Sequence, residues 1–187
     1  MAPAVFDGGM LTFHAFMGCS LDGYIAGPNG ELDWLTVFDA TGYDTFFSSV
    51  DALAMGRATY DVMREIGPDF YRGVPMHVLS TTLPPGPHPD MGRSKVTVHP
   101  DIPSLQSALE DVGAKRVYAD GGKTVQGFLA AGLLSDLTVT RVPVLLGRGI
   151  PLFGPVPAPV QARLVESHAT NDGAVQSVYE FSVNSSL

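Results

Sequence analysis

Arg116-Val-Tyr-Ala-Asp-Gly-Gly-Lys-Thr124 is the stretch that decides the fold, because it reads as a short apolar strand, two glycines and the start of a helix. A helix-like run at 125–131 follows it. Glycines let a backbone approach a ligand closely, and a helix N-terminus offers unpaired N–H groups and partial positive charge. Lys123 adds a cation. The stretch therefore indicates an anion site for a phosphate-bearing cofactor. The alternative, a tight turn between strand and helix, stays open at this point.

Composition limits the class of protein. The chain has 187 residues, 45% hydrophobic and 16% charged, which is typical of one globular domain with a proper core. A formal net charge of −8 argues against a general nucleic-acid or anionic-membrane binder, although a local anion site remains compatible with it. Cys19 is the one cysteine, which excludes an intrachain disulfide and a Cys-rich zinc site. A reducing, cytoplasmic setting is expected.

The N-terminal residues 1–10 lack a basic region followed by an apolar run, so they are not read as a signal peptide. They are interpreted as a flexible leader, and 11–187 as a single domain. No stretch of about 18 apolar residues is present, so no membrane span is expected.

Apolar runs and helical patterns alternate along most of the chain. Predicted strands lie at 11–18, 52–55, 76–79, 96–98, 116–119 and 137–144, and predicted helices at 45–50, 58–66, 103–111 and 125–131. Asp101, followed by Pro103, is a sound start signal for the third of these helices. Segments 22–33 and 84–92, rich in Gly and Pro, are predicted as loops.

The C-terminal part has a different pattern. Residues 163–168 and 175–183 flank Asn171-Asp172-Gly173, which is typical of a hairpin turn. Strand–helix alternation followed by an antiparallel hairpin predicts an α/β fold with a mixed, mostly parallel sheet.

Several motifs in order carry a family resemblance. They are Ser20-Leu-Asp-Gly-Tyr-Ile-Ala26, Ala54-Met-Gly-Arg-Ala-Thr-Tyr60, Val78-Leu-Ser-Thr81, Asp120-Gly-Gly-Lys-Thr124, and Gly127-Phe-Leu-Ala-Ala-Gly-Leu-Leu-Ser-Asp136 with Pro143-Val-Leu-Leu-Gly-Arg-Gly-Ile-Pro-Leu-Phe153. In this order they resemble the dihydrofolate reductase superfamily. In particular, they are similar to the C-terminal reductase domain of bifunctional riboflavin-biosynthesis (RibD) deaminase–reductases and to small stand-alone relatives of that domain. The resemblance runs from about Leu11 to Phe181.

The resemblance implies a fold and an activity. The fold is a dihydrofolate reductase-like three-layer α/β fold, with helices flanking a sheet that ends in an antiparallel hairpin. The activity is that of an NADPH-dependent reductase, whose cofactor lies across the carboxyl ends of the strands. The substrate is expected to be a small heteroaromatic or carbonyl compound, pyrimidine- or pterin-like, in or near riboflavin biosynthesis. A zinc deaminase module needs cysteines that this chain lacks, so the chain corresponds to the reductase part alone.

The resemblance also assigns cofactor contacts. Gly121, Gly122, Lys123 and Thr124 would hold the pyrophosphate, Gly56, Arg57 and Thr59 the adenosine-side phosphates, and Ser80 and Thr81 the ribose and its 2′-phosphate. A guanidinium gives two parallel donors to a phosphate, which suits Arg57. Two alternatives stay open: Arg57 pairs with Asp61 or Glu65 at the surface, and Ser80-Thr81 is an ordinary polar strand end.

The catalytic candidates are Asp22 and Asp33, which lie in or beside the loop expected to face the substrate. Asp22 precedes a glycine, so a structural turn is the alternative. Asp33, Asp39 and Asp44 each could supply a carboxylate to a pyrimidine or pterin amide edge, or cap a helix. The five histidines do not cluster, and no metal site is expected. His14, on an apolar strand, is read as a buried core residue.

Partners follow from the same resemblance. Family members pair through the end of the sheet to which the apolar, Gly/Pro-rich segment 143–153 belongs, so a homodimer is expected. Neither nucleic acid nor a membrane is expected as a partner. Two other functions stay open. One is a true dihydrofolate reductase, which needs a pterin-binding carboxylate. The other is a ligand-binding protein of the same fold without turnover.

Overall fold

The computed structural model describes residues 10–38, 40–67 and 69–182, which contain eleven strands and four helices. The strands are β1 (Thr12–Cys19), β2 (Tyr24–Ala26), β3 (Ala52–Gly56), β4 (Met76–Leu79), β5 (Gly86–Met91), β6 (Ser94–His99), β7 (Arg116–Asp120), β8 (Leu134–Arg141), β9 (Ile150–Pro151), β10 (Ala162–Ala169) and β11 (Val175–Phe181). The helices are α1 (Tyr43–Phe47), α2 (Arg57–Ile66), α3 (Ile102–Asp111) and α4 (Gly122–Ala130). Of the leader expected at 1–10, only Met10 is among the described residues, so that expectation stays a prediction.

A nine-stranded sheet in the order β10-β11-β8-β1-β7-β3-β4-β6-β5 forms the centre of the fold. The strands from β8 to β6 in that order run parallel to one another. β11 pairs antiparallel with β8, and β10 with β11, which makes the predicted C-terminal hairpin. The prediction of a mixed, mostly parallel sheet ending in an antiparallel hairpin is confirmed.

Two hydrophobic clusters cover the sheet, one on each face. Alternation along β7 shows the division: Val117 and Ala119 belong to the cluster packed with α3 and α4, and Tyr118 belongs to the cluster packed with α1 and α2. Successive side chains of a strand point to opposite faces, so strands buried on both faces read as continuous apolar runs. The result is the predicted three-layer arrangement, which places helix N-termini at the carboxyl edge of the sheet.

The segment 84–92 is a strand at its centre, and the prediction of a loop there was wrong. Gly86–Met91 pairs antiparallel with β6, as the last strand of the sheet. Pro87 and Pro89 suggested a loop because proline donates no ladder hydrogen bond, but an edge strand tolerates that loss on its outer side. A register shift between His88 and Met91 bends this edge.

The structure also differs from the predictions at segment 22–33 and at the start of β8. The loop expected at 22–33 contains β2, which pairs antiparallel with the two-residue strand β9. β8 begins at Leu134 rather than 137, because Leu134 is already opposite Phe13 in the parallel ladder. Among the described residues, no helix is both long and apolar enough to cross a membrane.

Candidate functional site

A cavity of about 770 Å³ opens at the carboxyl edge of the sheet. Gly18, Gly56, Leu79 and Asp120, at or near the ends of four parallel strands, contribute to its wall. Open α/β sheets bind ligands at this edge, and small-molecule sites have volumes of about 300–1,000 Å³. The cavity is therefore large enough for a sizeable ligand.

Two helices begin at this cavity without a side-chain cap. The N-cap residues are Gly56 for α2 and Gly121 for α4, and neither helix start has a side-chain hydrogen bond to its free N–H groups. α3 differs, because the Asp101 carboxylate accepts a hydrogen bond from the Ser104 N–H at 2.8 Å. Uncapped N–H groups at a helix start favour an anion. Two such starts at one cavity fit a diphosphate.

Two of the glycines at these starts, Gly121 and Gly122, leave no room for a side chain. Gly121 has φ 91°, and a Cβ there would overlap the Thr59 hydroxyl. A Cβ on Gly122 would lie 2.5 Å from Ile25 Cδ1, and one on Gly56 would lie 3.5 Å from Thr124 Oγ1. The starts of α2 and α4 therefore lie side by side. This arrangement brings Gly121 and Gly122 close to Gly56.

Three polar groups beside these glycines are available to an anion. Within the described part of the chain, Lys123 forms no ion pair and the Thr59 and Thr124 side chains form no hydrogen bond. All three residues line the cavity. A mobile ammonium and two hydroxyls are the donors that a phosphate accepts. That these residues bind the cofactor stays a prediction.

Arg57 and Ser80 form a second polar corner of the same cavity. The Arg57 guanidinium donates to Thr82 Oγ1 at 2.7 Å and to Asp61 Oδ2 at 3.2 Å. The pairing with Asp61 that the sequence left as an alternative is therefore present, on a residue that also lines the cavity. Thr81 and Thr82 line it as well. The sequence reasoning missed Thr82, although it directly follows two predicted residues.

The Ser80 side chain has a structural task at this corner. Its Oγ accepts hydrogen bonds from the backbone N–H groups of Thr82 and Leu83, at 3.2 and 3.0 Å. These bonds fold the chain directly after β4 and fix the position of the Thr82 hydroxyl beside Arg57. Ser80 is buried in the cavity wall, and its observed role is to shape this loop.

Asp120, the last residue of β7, is the carboxyl group that lines the cavity. It accepts hydrogen bonds from the hydroxyls of Tyr71 and, at 3.3 Å, Tyr118. Burial raises the pKa of the Asp120 carboxyl above its ordinary value, and the two tyrosine hydrogen bonds oppose that rise. Asp120 is part of the glycine motif found in the sequence, but the sequence analysis assigned it no function. Its position as an acid at the end of a buried parallel strand could have identified it as a site residue.

Asp22 and Asp33 are not part of the cavity wall. The Asp22 carboxylate accepts hydrogen bonds from Ser20 Oγ at 2.6 Å and from the Gly147 N–H at 2.7 Å. The Ser20 hydrogen bond holds the pKa of Asp22 below its usual value. These contacts match the structural-turn alternative, since they join the 20–24 turn to the loop after β8. The catalytic role of Asp22 and Asp33 stays a prediction.

The remaining acidic candidates lie elsewhere. Asp44 pairs with Arg72 at 2.8 Å, on an exposed surface outside the cavity wall. Asp39 lies outside the described residues. His14 is buried, as predicted, with its Nδ1 2.6 Å from Asp136 Oδ2. The described residues contain no group of three or more His, Cys, Asp or Glu side chains that could hold a metal ion.

Known proteins share this architecture and part of this sequence. A crystal structure of a protein from Shewanella sp. PV-4, provisionally assigned to riboflavin biosynthesis, is similar with 32% identity and a TM-score of 0.81, over 91% of this chain and 99% of that one. Uncharacterized protein YwjB of Bacillus subtilis (strain 168) is 29% identical over 74% of this chain and 80% of its own.

Dihydrofolate reductase from Enterococcus faecalis, solved in complex with NADP(H), has the same fold: its TM-score is 0.64 at 17% identity, over 91% of this chain and 96% of that one. The family described as the RibD C-terminal domain matches residues 12–176. The chain thus belongs to the RibD C-terminal domain family.

Proposed function

We propose that the protein is an NADPH-dependent reductase that transfers hydride to a small heteroaromatic or carbonyl substrate, pyrimidine- or pterin-like. The observation that carries the proposal is the meeting of two uncapped helix starts, at Gly56 and Gly121, in one cavity that also contains Arg57 and Lys123. The similarity to the Shewanella protein, provisionally assigned to riboflavin biosynthesis, supports a role in or near that pathway.

The residues present fit this cofactor. The N–H groups at the starts of α2 and α4, with Thr59, Lys123 and Thr124, would hold the pyrophosphate. Arg57 and the Ser80–Thr82 turn would hold the adenosine-side phosphates, including a 2′-phosphate. When bound, the reduced cofactor supplies a hydride with its two electrons.

Asp120 supplies the matching proton in this proposal. Its raised pKa lets the carboxyl remain protonated at a higher pH than an exposed aspartate. As the hydride reaches the carbon of a C=N or C=O bond, the Asp120 proton moves to the nitrogen or oxygen. The double bond becomes a single bond, and Asp120 is left as a carboxylate to be reprotonated from water. Tyr71 and Tyr118 hold the carboxyl in place throughout.

The test is a thermal melt with NADPH, followed by turnover. A ligand at about 100 times its Kd stabilises the folded state by about 2.7 kcal/mol, which raises the Tm by several degrees. The absence of any rise at millimolar NADPH or NADH would contradict the proposal. A rise without NADPH oxidation against heteroaromatic and carbonyl compounds would instead support a binding protein without turnover, and turnover of dihydrofolate would support a dihydrofolate reductase.

A homodimer is part of the proposal. The segment 143–153, through which pairing was expected, contributes β9 to a separate two-stranded sheet with β2, so the proposed pairing surface is the hairpin edge instead. Every residue of β10 is exposed, and Leu164 and Val165 are 52% and 45% exposed. An edge strand with unpaired backbone groups and exposed apolar side chains is a ready pairing surface. Light scattering should give twice the chain mass, and Leu164→Lys should give the monomer. The same change at exposed Val112, outside this edge, is the control.

We also propose a cytoplasmic location. Its support is that the chain's one cysteine, Cys19, is free and buried, so the described fold uses no disulfide.

A further inference from the structure

The cavity has an apolar end that is distinct from its phosphate corners. Val62, Ile66 and Leu32 line it and are 46%, 55% and 38% exposed. Large apolar side chains that remain exposed together in a concave site mark a surface that a ligand covers. The composition of this end therefore indicates the chemistry of the molecule that lies there.

One wall of the apolar end is a single stripe of α2. Ala58, Val62 and Ile66 follow at intervals of four residues, so they lie on one face of the helix. At a rise of about 1.5 Å per residue, Val62 lies roughly 7 Å and Ile66 roughly 13 Å along the axis from Arg57. The stripe leads away from the uncapped helix start, from the anion corner into an apolar region.

A second apolar part of the wall comes from the loop between β2 and α1 and from the end of β1. Leu35 packs against Gly18, where an added Cβ would lie 2.7 Å from Leu35 Cδ1. Leu32 from the same loop and Ile25 from β2 also line the cavity. The α2 stripe and these residues are thus two apolar parts of one cavity wall, which also contains Asp120 at the end of β7.

The cations of the chain are distributed unevenly. All of its Lys, Arg and His residues fall within the described residues, and of these Arg57 and Lys123 alone line the cavity. Both belong to the corners fitted to the cofactor. Arg64, on the same helix as the stripe, instead lies over the ring of Tyr60. Among the described residues, no cationic side chain lines the apolar end, and the one acid in the cavity wall is Asp120.

We propose, on the basis of the reductase function, that the substrate is a neutral, unphosphorylated ring compound. Its apolar faces lie between the α2 stripe and the Leu32–Leu35 loop, and its polar, reducible edge lies at Asp120. Burying a phosphate dianion against Val62 and Ile66 without a counter-charge is strongly unfavourable, whereas burying a flat ring there is favourable. The site therefore selects against phosphorylated substrates.

The test compares three fluorescent probes that share one ring system and differ in the tail: lumichrome with none, riboflavin with a neutral tail, and riboflavin 5′-phosphate. Each is titrated into protein saturated with NADP⁺, which fills the phosphate corners and prevents turnover. We expect lumichrome to bind at least about tenfold tighter than riboflavin 5′-phosphate, the factor that corresponds to about 1.4 kcal/mol. Equal or tighter binding of the phosphorylated probe, or no binding of lumichrome, overturns the proposal.

A charge placed in the stripe gives the complementary result. Val62→Arg should weaken lumichrome binding and strengthen binding of riboflavin 5′-phosphate by about tenfold or more. Val112→Arg makes the same change at a residue that is 72% exposed outside the cavity, and should alter neither. The NADP⁺-induced rise in Tm is measured first. Its absence contradicts the reductase proposal, whereas its presence with the wrong probe order contradicts the substrate class alone.

Discussion

Gly121 lies against Thr59, so close that a side chain on the glycine would occupy the place of the threonine hydroxyl. The contact joins the start of α4 to the first turn of α2, two helices that are far apart in sequence. Because neither start has a side-chain cap, the contact brings two sets of free N–H groups to one point of the cavity.

Gly121→Ala should therefore remove cofactor binding as well as stability. A side chain at φ 91° costs about 1–2 kcal/mol, and the overlap with Thr59 adds to that cost and pushes the helix starts apart. We expect a lower Tm and no further rise with NADPH. Gly113→Ala is the matched control, because Gly113 has φ 71° and open space around it. It should lower the Tm and leave the NADPH response intact; a similar loss of response in both variants would argue against the phosphate role of this turn.

Arg57→Ala should weaken NADPH binding by about tenfold to a hundredfold, since a hydrogen bond to a charged group contributes about 1.5–3 kcal/mol. Arg57→Lys should recover only part of this, because an ammonium does not reproduce the planar pair of donors. Arg64→Ala, on the same helix but outside the cavity wall, is the control. Calorimetric titration with NADPH and NADH measures the effect. A variant that loses affinity for both equally would place Arg57 at the pyrophosphate rather than at the 2′-phosphate.

Local sequence rules predicted much of this fold. β4 has the predicted bounds, and Asp101 caps α3 as its position before Pro103 indicates. Continuous apolar runs predicted the parallel strands correctly, because both faces of the sheet are covered and successive side chains are therefore buried. The strand at 86–91 escaped prediction, since its prolines are acceptable only at a sheet edge, and position in the sheet is a property of the whole fold.

Only those parts of the candidate site that consist of consecutive residues could be predicted from the sequence. Glycines at helix starts are visible in sequence, and the structure brings Gly56 and Gly121 together at one cavity. The partners of Asp120 were not visible, because Tyr71 is 49 residues away and comes near only when the sheet forms. For the same reason, the sequence could not show that Asp120 lies between tyrosines whereas the Asp22 carboxylate accepts hydrogen bonds that hold a turn.

Asp120→Asn should change the pH dependence of stability. A carboxyl whose folded pKa is raised above 3.8 contributes stability that is fully present below that pH and is lost as pH rises through the folded pKa. Denaturant unfolding of both proteins from pH 4 to 8 should therefore show that the unfolding free energy of the variant rises relative to that of the native protein as pH rises. The same variant should lose turnover while still binding NADPH. A constant difference in unfolding free energy across this range would mean that the Asp120 pKa is ordinary.

Tyr71→Phe isolates the hydrogen bond that holds Asp120. The Tyr71 hydroxyl favours the charged carboxylate, so its removal should raise the pKa of Asp120 further. The pH above which turnover falls should then move upward, if the protonated carboxyl is the active form. Phe70, a neighbouring exposed ring, can be changed to Leu as the control and should leave the profile in place. A profile that moves downward would contradict the proton-donor role.

The expectation that the histidines do not cluster was wrong for His77 and His99, which lie side by side on neighbouring strands. This buried pair should make the fold sensitive to mild acid. His77 Nδ1 lies 2.9 Å from His99 Nε2, and burial together with His99 lowers the pKa of His77 to about 4. The unfolded chain, with an ordinary histidine pKa near 6.5, then binds more protons than the folded one between these values, so stability present above pH 6.5 is lost as pH falls towards 4.

His77→Gln should remove this dependence. Between pH 7 and 5 the native protein should lose roughly 2 kcal/mol of unfolding free energy more than the variant, since each pH unit below 6.5 contributes about 1.4 kcal/mol. Denaturant titrations at the two pH values measure the difference, and His88→Gln at the edge strand is the control that should behave like the native protein. An equal acid loss in native protein and His77→Gln would show that other groups, and not the buried pair, bind the protons on unfolding.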